Sequence, residues 1–167
     1  KAKNLTVGIV DAAGVIATAI IIRAVLLWVH GLTVSTFIAI ISGFLVAQTM
    51  LVIVTRIKER QYAKHNQDDC LQEAFENGQV ALALRYAGQV ISTALAITAA
   101  SHFFTYNPDT LVQNLLGWLL FGLVMTLLVA LLTNIAKRIV LVGINLVEEV
   151  DQQHNVGVAA IEMAISI

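Results

Sequence analysis

Four long apolar stretches divide the chain, and charged or turn-forming residues close each of them. They run from about Leu5 to Val29, Leu32 to Thr55, Gln79 to Ala100 and Leu111 to Ile135. A bilayer core about 30 Å thick is crossed by roughly 17–25 apolar residues in a helix, so each stretch predicts one membrane-spanning helix. A fifth apolar run begins near Val156 and reaches Ile167. That run is too short to cross. With Lys1 in first place, the chain reads as an internal segment of a longer protein whose fifth span is cut part-way. Four such runs joined by ionic connectors argue against a buried soluble bundle. The expected fold is all-α: a polytopic transmembrane bundle.

Composition points the same way. Residues of the AVILMFWYC set make up 58% of the 167 positions, and charged residues only 13%. Soluble domains carry about 25% charged residues, and the mean hydropathy here is +0.82. A single cysteine rules out an intramolecular disulfide framework. A net charge of −1 leaves no electrostatic footprint for nucleic acid.

Charge changes the picture by setting a direction. Lys1 and Lys3 precede the first span, Arg56, Lys58, Arg60 and Lys64 follow the second, and Lys137 and Arg138 follow the fourth. The opposite connectors carry no lysine or arginine, only His30, His102 and Asp109. By the positive-inside rule the basic end is cytoplasmic, which makes the connectors Arg56–Gly78 and Lys137–Asn155 cytoplasmic and sends the odd-numbered spans outward. Trp28, Phe103, Phe104 and Tyr106 suit the outer headgroup level. The stretch Ile139–Asn155 reads as an amphipathic segment lying on the inner interface.

A short pattern recurs at the cytoplasmic entrance of each outward span. It reads Asn4-Leu5-Thr6-Val7-Gly8, then Asn77-Gly78-Gln79-Val80-Ala81, then Asn155-Val156-Gly157-Val158-Ala159. The returning helices agree, since Gly43 and Lys58 match Gly122 and Lys137 at a common offset of 79. This predicts parallel repeats of two helices: a hairpin with its connector over 1–76, a second over 77–154, and the start of a third over 155–167. The segments NLTVGIVDAAGVIATAIIIRA (Asn4–Ala24), GQVALALRYAGQVIS (Gly78–Ser92) and EEVDQQHNVGVAAIEMAISI (Glu148–Ile167) carry a further resemblance. They resemble the domain-of-unknown-function 350 family, the YjfL-like bacterial inner-membrane proteins. That resemblance implies a multi-span domain in the bacterial inner membrane and supplies no activity, cofactor or catalytic residue.

Four charged residues fall inside the apolar runs, Arg23 near the end of the first and three others nearer the entrances. Asp11, Arg85 and Glu162 lie seven or eight residues beyond Asn4, Asn77 and Asn155, about 10–12 Å at 1.5 Å per residue, and so at similar depth. Charges at such depth face protein or water and take partners, which predicts an Asp11–Arg85–Glu162 cluster with a net charge of −1. Thr18 extends a polar stripe from Asp11, Gln89 and Ser92 extend one from Arg85, and Ser166 extends one from Glu162. A cluster of this kind either fixes helix register or lines a path for a proton or cation. Arg23 is expected to reach the outer headgroups. Ala39, Gly43 and Ala47 form a small-residue stripe for helix packing. His30 and His102 lack a third ligand and make a poor metal site.

No phosphate-binding glycine loop, His-Glu-x-x-His helix or Gly-x-Ser-x-Gly elbow occurs, so neither an enzyme nor a cofactor is expected. The expected function is a conduit or transporter for a small ion or solute, built around the charge cluster. The alternative is a structural or regulatory scaffold that recruits cytoplasmic partners of the envelope-stress type. Expected partners are the lipid bilayer, further copies of the chain or another membrane protein, and a cytoplasmic protein.

Overall fold

The structure is a computed structural model, and it describes residues 4–29, 31–65 and 70–167. Lys1, Lys3, His30 and Asp68 lie outside these. The described chain is all-α. Helices α1 (Leu5–Leu26), α2 (Val34–His65), α3 (Leu71–Glu76) and α4 (Val80–Ser101) come first. A 3-10 turn (Pro108–Thr110) leads into α5 (Leu111–Val140), and a π-helical turn (Val147–Gln152) precedes α6 (Val156–Ser166). Four helices are long and apolar enough to cross a membrane: α1, α2, α4 and α5 with its preceding turn. The protein is a multi-pass membrane protein.

The small residues of α4 determine the layout. Ala81, Ala83, Ala87, Ala94, Ala96 and Ala100 let neighbours approach from several sides, and all are buried. In the apolar window of α4, 61% of the residues are buried, against 11% for α5. Helix α4 is therefore the centre, with α1 and α6 both packed on it. Since lipid tails are as apolar as leucine, packing rather than water exclusion drives this association. The outward side chains remain apolar, as at Leu120, Leu127 and Leu131 of α5.

Two packed regions hold the bundle. In the first, Trp118 of α5 lies fully buried against Trp28, with ring centroids 5.3 Å apart, and donates its indole N–H to the Ile97 carbonyl at 2.8 Å. Ala39 and Ala47 of α2 are fully buried beside it. A Cβ on Gly43 would stand 3.3 Å from the Trp118 ring and 3.6 Å from Val25, so the glycine is what seats the indole. Trp28, just past the end of α1, therefore packs into the core against Trp118. Phe103, by contrast, is exposed.

The second region lies at the basic end, where Ala74, Phe75, Leu82, Val150 and Ala159 meet. Val150 is fully buried, which corrects the expectation for Ile139–Asn155. Around Val150 that segment packs on protein and not on lipid. Gly143 at φ +80 and His154 at φ +54 adopt left-handed backbone on either side of the π-helical turn, and the chain turns back into the bundle there.

Asn4 and Asn155 cap α1 and α6 in the same way, each side-chain oxygen accepting from two backbone N–H groups of the first turn. Asn77 does not cap α4. It closes α3, and Gln79 holds the cap position of α4 without a side-chain bond. The entrance to α4 lies two residues later than the sequence pattern places it.

Candidate functional site

The ionic centre is built from Arg85 outward. Its position on α4 points the guanidinium toward α6 and the π-helical turn. Arg85 Nε donates to Glu162 Oε2 at 2.7 Å, Nη1 donates to Asp151 Oδ1, and Nη2 donates to the Leu146 carbonyl at 2.9 Å. The other oxygen of Glu162 accepts from Lys137 Nζ at 2.8 Å. One carboxylate thus bridges two cations, and both Glu162 and Asp151 side chains are only 5% exposed. Guanidinium suits this task because its planar fork serves several acceptors at once. Ser166 bonds back to the Glu162 carbonyl at 2.8 Å and stays within the same patch.

Of the three residues expected to cluster, Arg85 and Glu162 meet and Asp11 does not join them. Asp11 lines a different cavity, of about 560 Å³, together with Arg56, Glu59, Arg60 and Tyr86. The reason is azimuth. Asp11 and Glu162 both stand seven residues past their capping asparagines, so each lies about two turns into its helix. Helices α1 and α6 nevertheless occupy different flanks of α4. A side chain on α4 turns about 100° per residue, so Arg85 serves α6 and lines only the ionic cavity, while Tyr86 beside it borders both cavities. The carboxylate that takes the place of Asp11 is Asp151, delivered by the π-helical turn.

An open cavity of about 560 Å³ reaches this centre between α2, α4, α5 and α6. Arg85, Gln89, Ser92 and Ala96 line it along one face of α4, joined by Thr126 and Thr133 of α5. Thr18 is elsewhere, accepting from Gln48 Nε2 at 3.3 Å across the α1–α2 contact. Arg23 is exposed in the last turn of α1, and no ion pair joins it to Asp109 among the described residues.

A third cation borders the cavity. Lys58 of α2 donates to the Gln89 carbonyl at 3.4 Å and to Thr93 Oγ1 at 3.3 Å, both neutral acceptors. Lys58, Arg85 and Lys137 face Asp151 and Glu162 around one cavity, so its formal charge is +1 and not the −1 expected. Sequence reasoning read Lys58 and Lys137 as markers of the basic end and as matching positions of the two returning helices, and not as members of a site. One signal was available for Lys137: the apolar run Ile139-Val140-Leu141-Val142 follows it, as it would inside a helix. Nothing comparable marked Asp151.

Helix α6 reaches this position through Gly88. A Cβ there would stand 2.9 Å from the Met163 Cα and 3.2 Å from its carbonyl oxygen, backbone atoms that cannot swing aside. Any larger residue would push α6 away from α4 and draw Glu162 off Arg85.

Comparison with known proteins adds the family and nothing finer. No curated protein and no solved structure matches the chain. The matched region takes in the Gly78–Ser92 and Glu148–Ile167 segments, α2, α4, α5 and the whole ionic centre, while the whole of α1, and with it the Asn4–Ala24 segment, precedes it. Residues 28–167 match the family model described as Domain of Unknown Function (DUF350), and the chain belongs to that family.

Proposed function

We propose that this protein binds and passes a small ion or solute through the cavity between α2, α4, α5 and α6, with Arg85, Lys137, Asp151 and Glu162 as its ionic floor. The observation that carries the reading is the cavity itself. A purely structural ion network gains nothing from an adjoining space of about 560 Å³ lined by serine, threonine and glutamine. Charged groups in membrane helices that face such a space mark ion and substrate paths. We place the protein in the bacterial inner membrane with its basic end in the cytoplasm, on the balance of lysine and arginine, and assign it no catalytic step.

Thiol labelling tests the reading, because a thiol reacts as its thiolate and that needs water. In a Cys70→Ser background, cysteine at Ser92, on the cavity wall, is expected to react with small water-soluble methanethiosulfonates. Cysteine at Leu127, which is 71% exposed on the outer face of α5, is expected to stay unreactive in lipid. Equal protection of both positions would mean a dry, solid core and would remove the conduit reading. The native Cys70 is exposed and tests direction. Impermeant reagent should label it in inverted membrane vesicles and spare it in intact cells, and the reverse result would invert the orientation.

A further inference from the structure

We propose that the solute taken into this cavity is a small anion, held by the ammonium group of Lys58. The inference rests on the cavity being a hydrated solute site and adds the charge class of its occupant. Three observations carry it. Among the described residues no carboxylate lies within ion-pair distance of Lys58, whereas Arg85 has two and Lys137 has one. An ammonium has three N–H donors. Two of them make the long bonds to the Gln89 carbonyl and Thr93 Oγ1, and one is uncommitted on a side chain that lines the cavity.

The second observation is the charge balance. With three cations against two carboxylates, one positive charge is uncompensated, and a single monovalent anion restores neutrality. Lys58 also lies within electrostatic reach of Lys137, so the two ammonium groups repel each other until a negative charge is shared between them. The third is the local acceptor pattern. Thr93 spends its own hydroxyl hydrogen on the Gln89 carbonyl at 2.7 Å, so it offers Lys58 only an acceptor. These neutral oxygens hold the ammonium in place without cancelling its charge, which leaves it to the solute. At an effective dielectric of about 20, a unit charge about 6 Å away is worth a few kcal/mol to an anion.

The test compares two thiol reagents of similar size and opposite charge on Ser92→Cys in the Cys70→Ser background. A sulfonate-bearing methanethiosulfonate is expected to react about tenfold faster than its trimethylammonium counterpart, each 1.4 kcal/mol of electrostatic preference being worth a factor of ten. Lys58→Gln should abolish the preference while the cysteine stays reactive, and Lys58→Arg should retain it. Acetate and chloride, each added against a background of the bulky gluconate ion, should slow the sulfonate reagent, and the more protective of the two tells a carboxylate from a halide. Lys58→Gln is expected to melt no lower than wild type in gluconate, since it removes an unpaired cation. Equal or reversed reagent rates would overturn the anion assignment and leave the hydrated cavity standing. Unchanged preference in Lys58→Gln, or an unfolded variant, would overturn the role of Lys58. Failure of both reagents to react would remove the cavity reading itself.

Discussion

Arg85→Leu is expected to lower folded stability by about 3–5 kcal/mol, the usual consequence of deleting one member of a buried ion network. The guanidinium bonds two carboxylates and a backbone carbonyl, and its side chain is 15% exposed. Without it, Glu162 keeps Lys137, whereas Asp151 loses the cation on which its π-helical turn closes. The second change that rescues the variant therefore identifies the partner. Adding Asp151→Asn to Arg85→Leu should recover much of the folded yield, and adding Asp11→Asn should recover none, because Asp11 lies on another cavity. Melts and folded yields in detergent decide this. Wild-type behaviour of Arg85→Leu, or equal rescue by Asp11→Asn, would show that the centre is not assembled as described.

Trp118→Ala should follow at about 3 kcal/mol, the lower end of the range for emptying a buried aromatic site in a soluble core. The lower end applies because, in a bilayer, transfer to lipid contributes little and lost packing contributes most. The indole fills the space left by Gly43, lies against Trp28 and bonds to the Ile97 carbonyl. Trp118→Phe should keep most of that packing and lose one hydrogen bond, about 1 kcal/mol. Thermal melts of the two variants separate the contributions. If alanine costs no more than phenylalanine, the seat on Gly43 is not where the outer half of the bundle is held together.

These two centres differ in how far they could be read in advance. The Gly43 stripe announced a close helix contact, since small residues at intervals of four leave a groove on one face. It did not announce that a tryptophan from α5 would occupy the groove. The asparagines at 4, 77 and 155 were read as span entrances; Asn4 and Asn155 stand there as caps, and Asn77 closes α3 instead.

What the sequence by itself determined was one-dimensional: four spans, the basic residues gathered at one end of them, and the places of Arg85 and Glu162 along their helices. Those quantities depend on the bilayer as solvent and on a single helix at a time, so no knowledge of neighbours is needed. Which side of α4 each neighbour takes was decided only in the tertiary structure. Gly88 admits α6 on one flank, α1 takes another, and the resulting azimuth parts Asp11 from Arg85. The turn through Gly143 and His154 then carries Asp151 inward, and Lys58 and Lys137 enter the cavity from helices far apart in the chain. Contacts of this kind rest on shape complementarity between several helices at once. No local spacing records that, and it turned an expected acidic cluster into a cavity with one positive charge to spare.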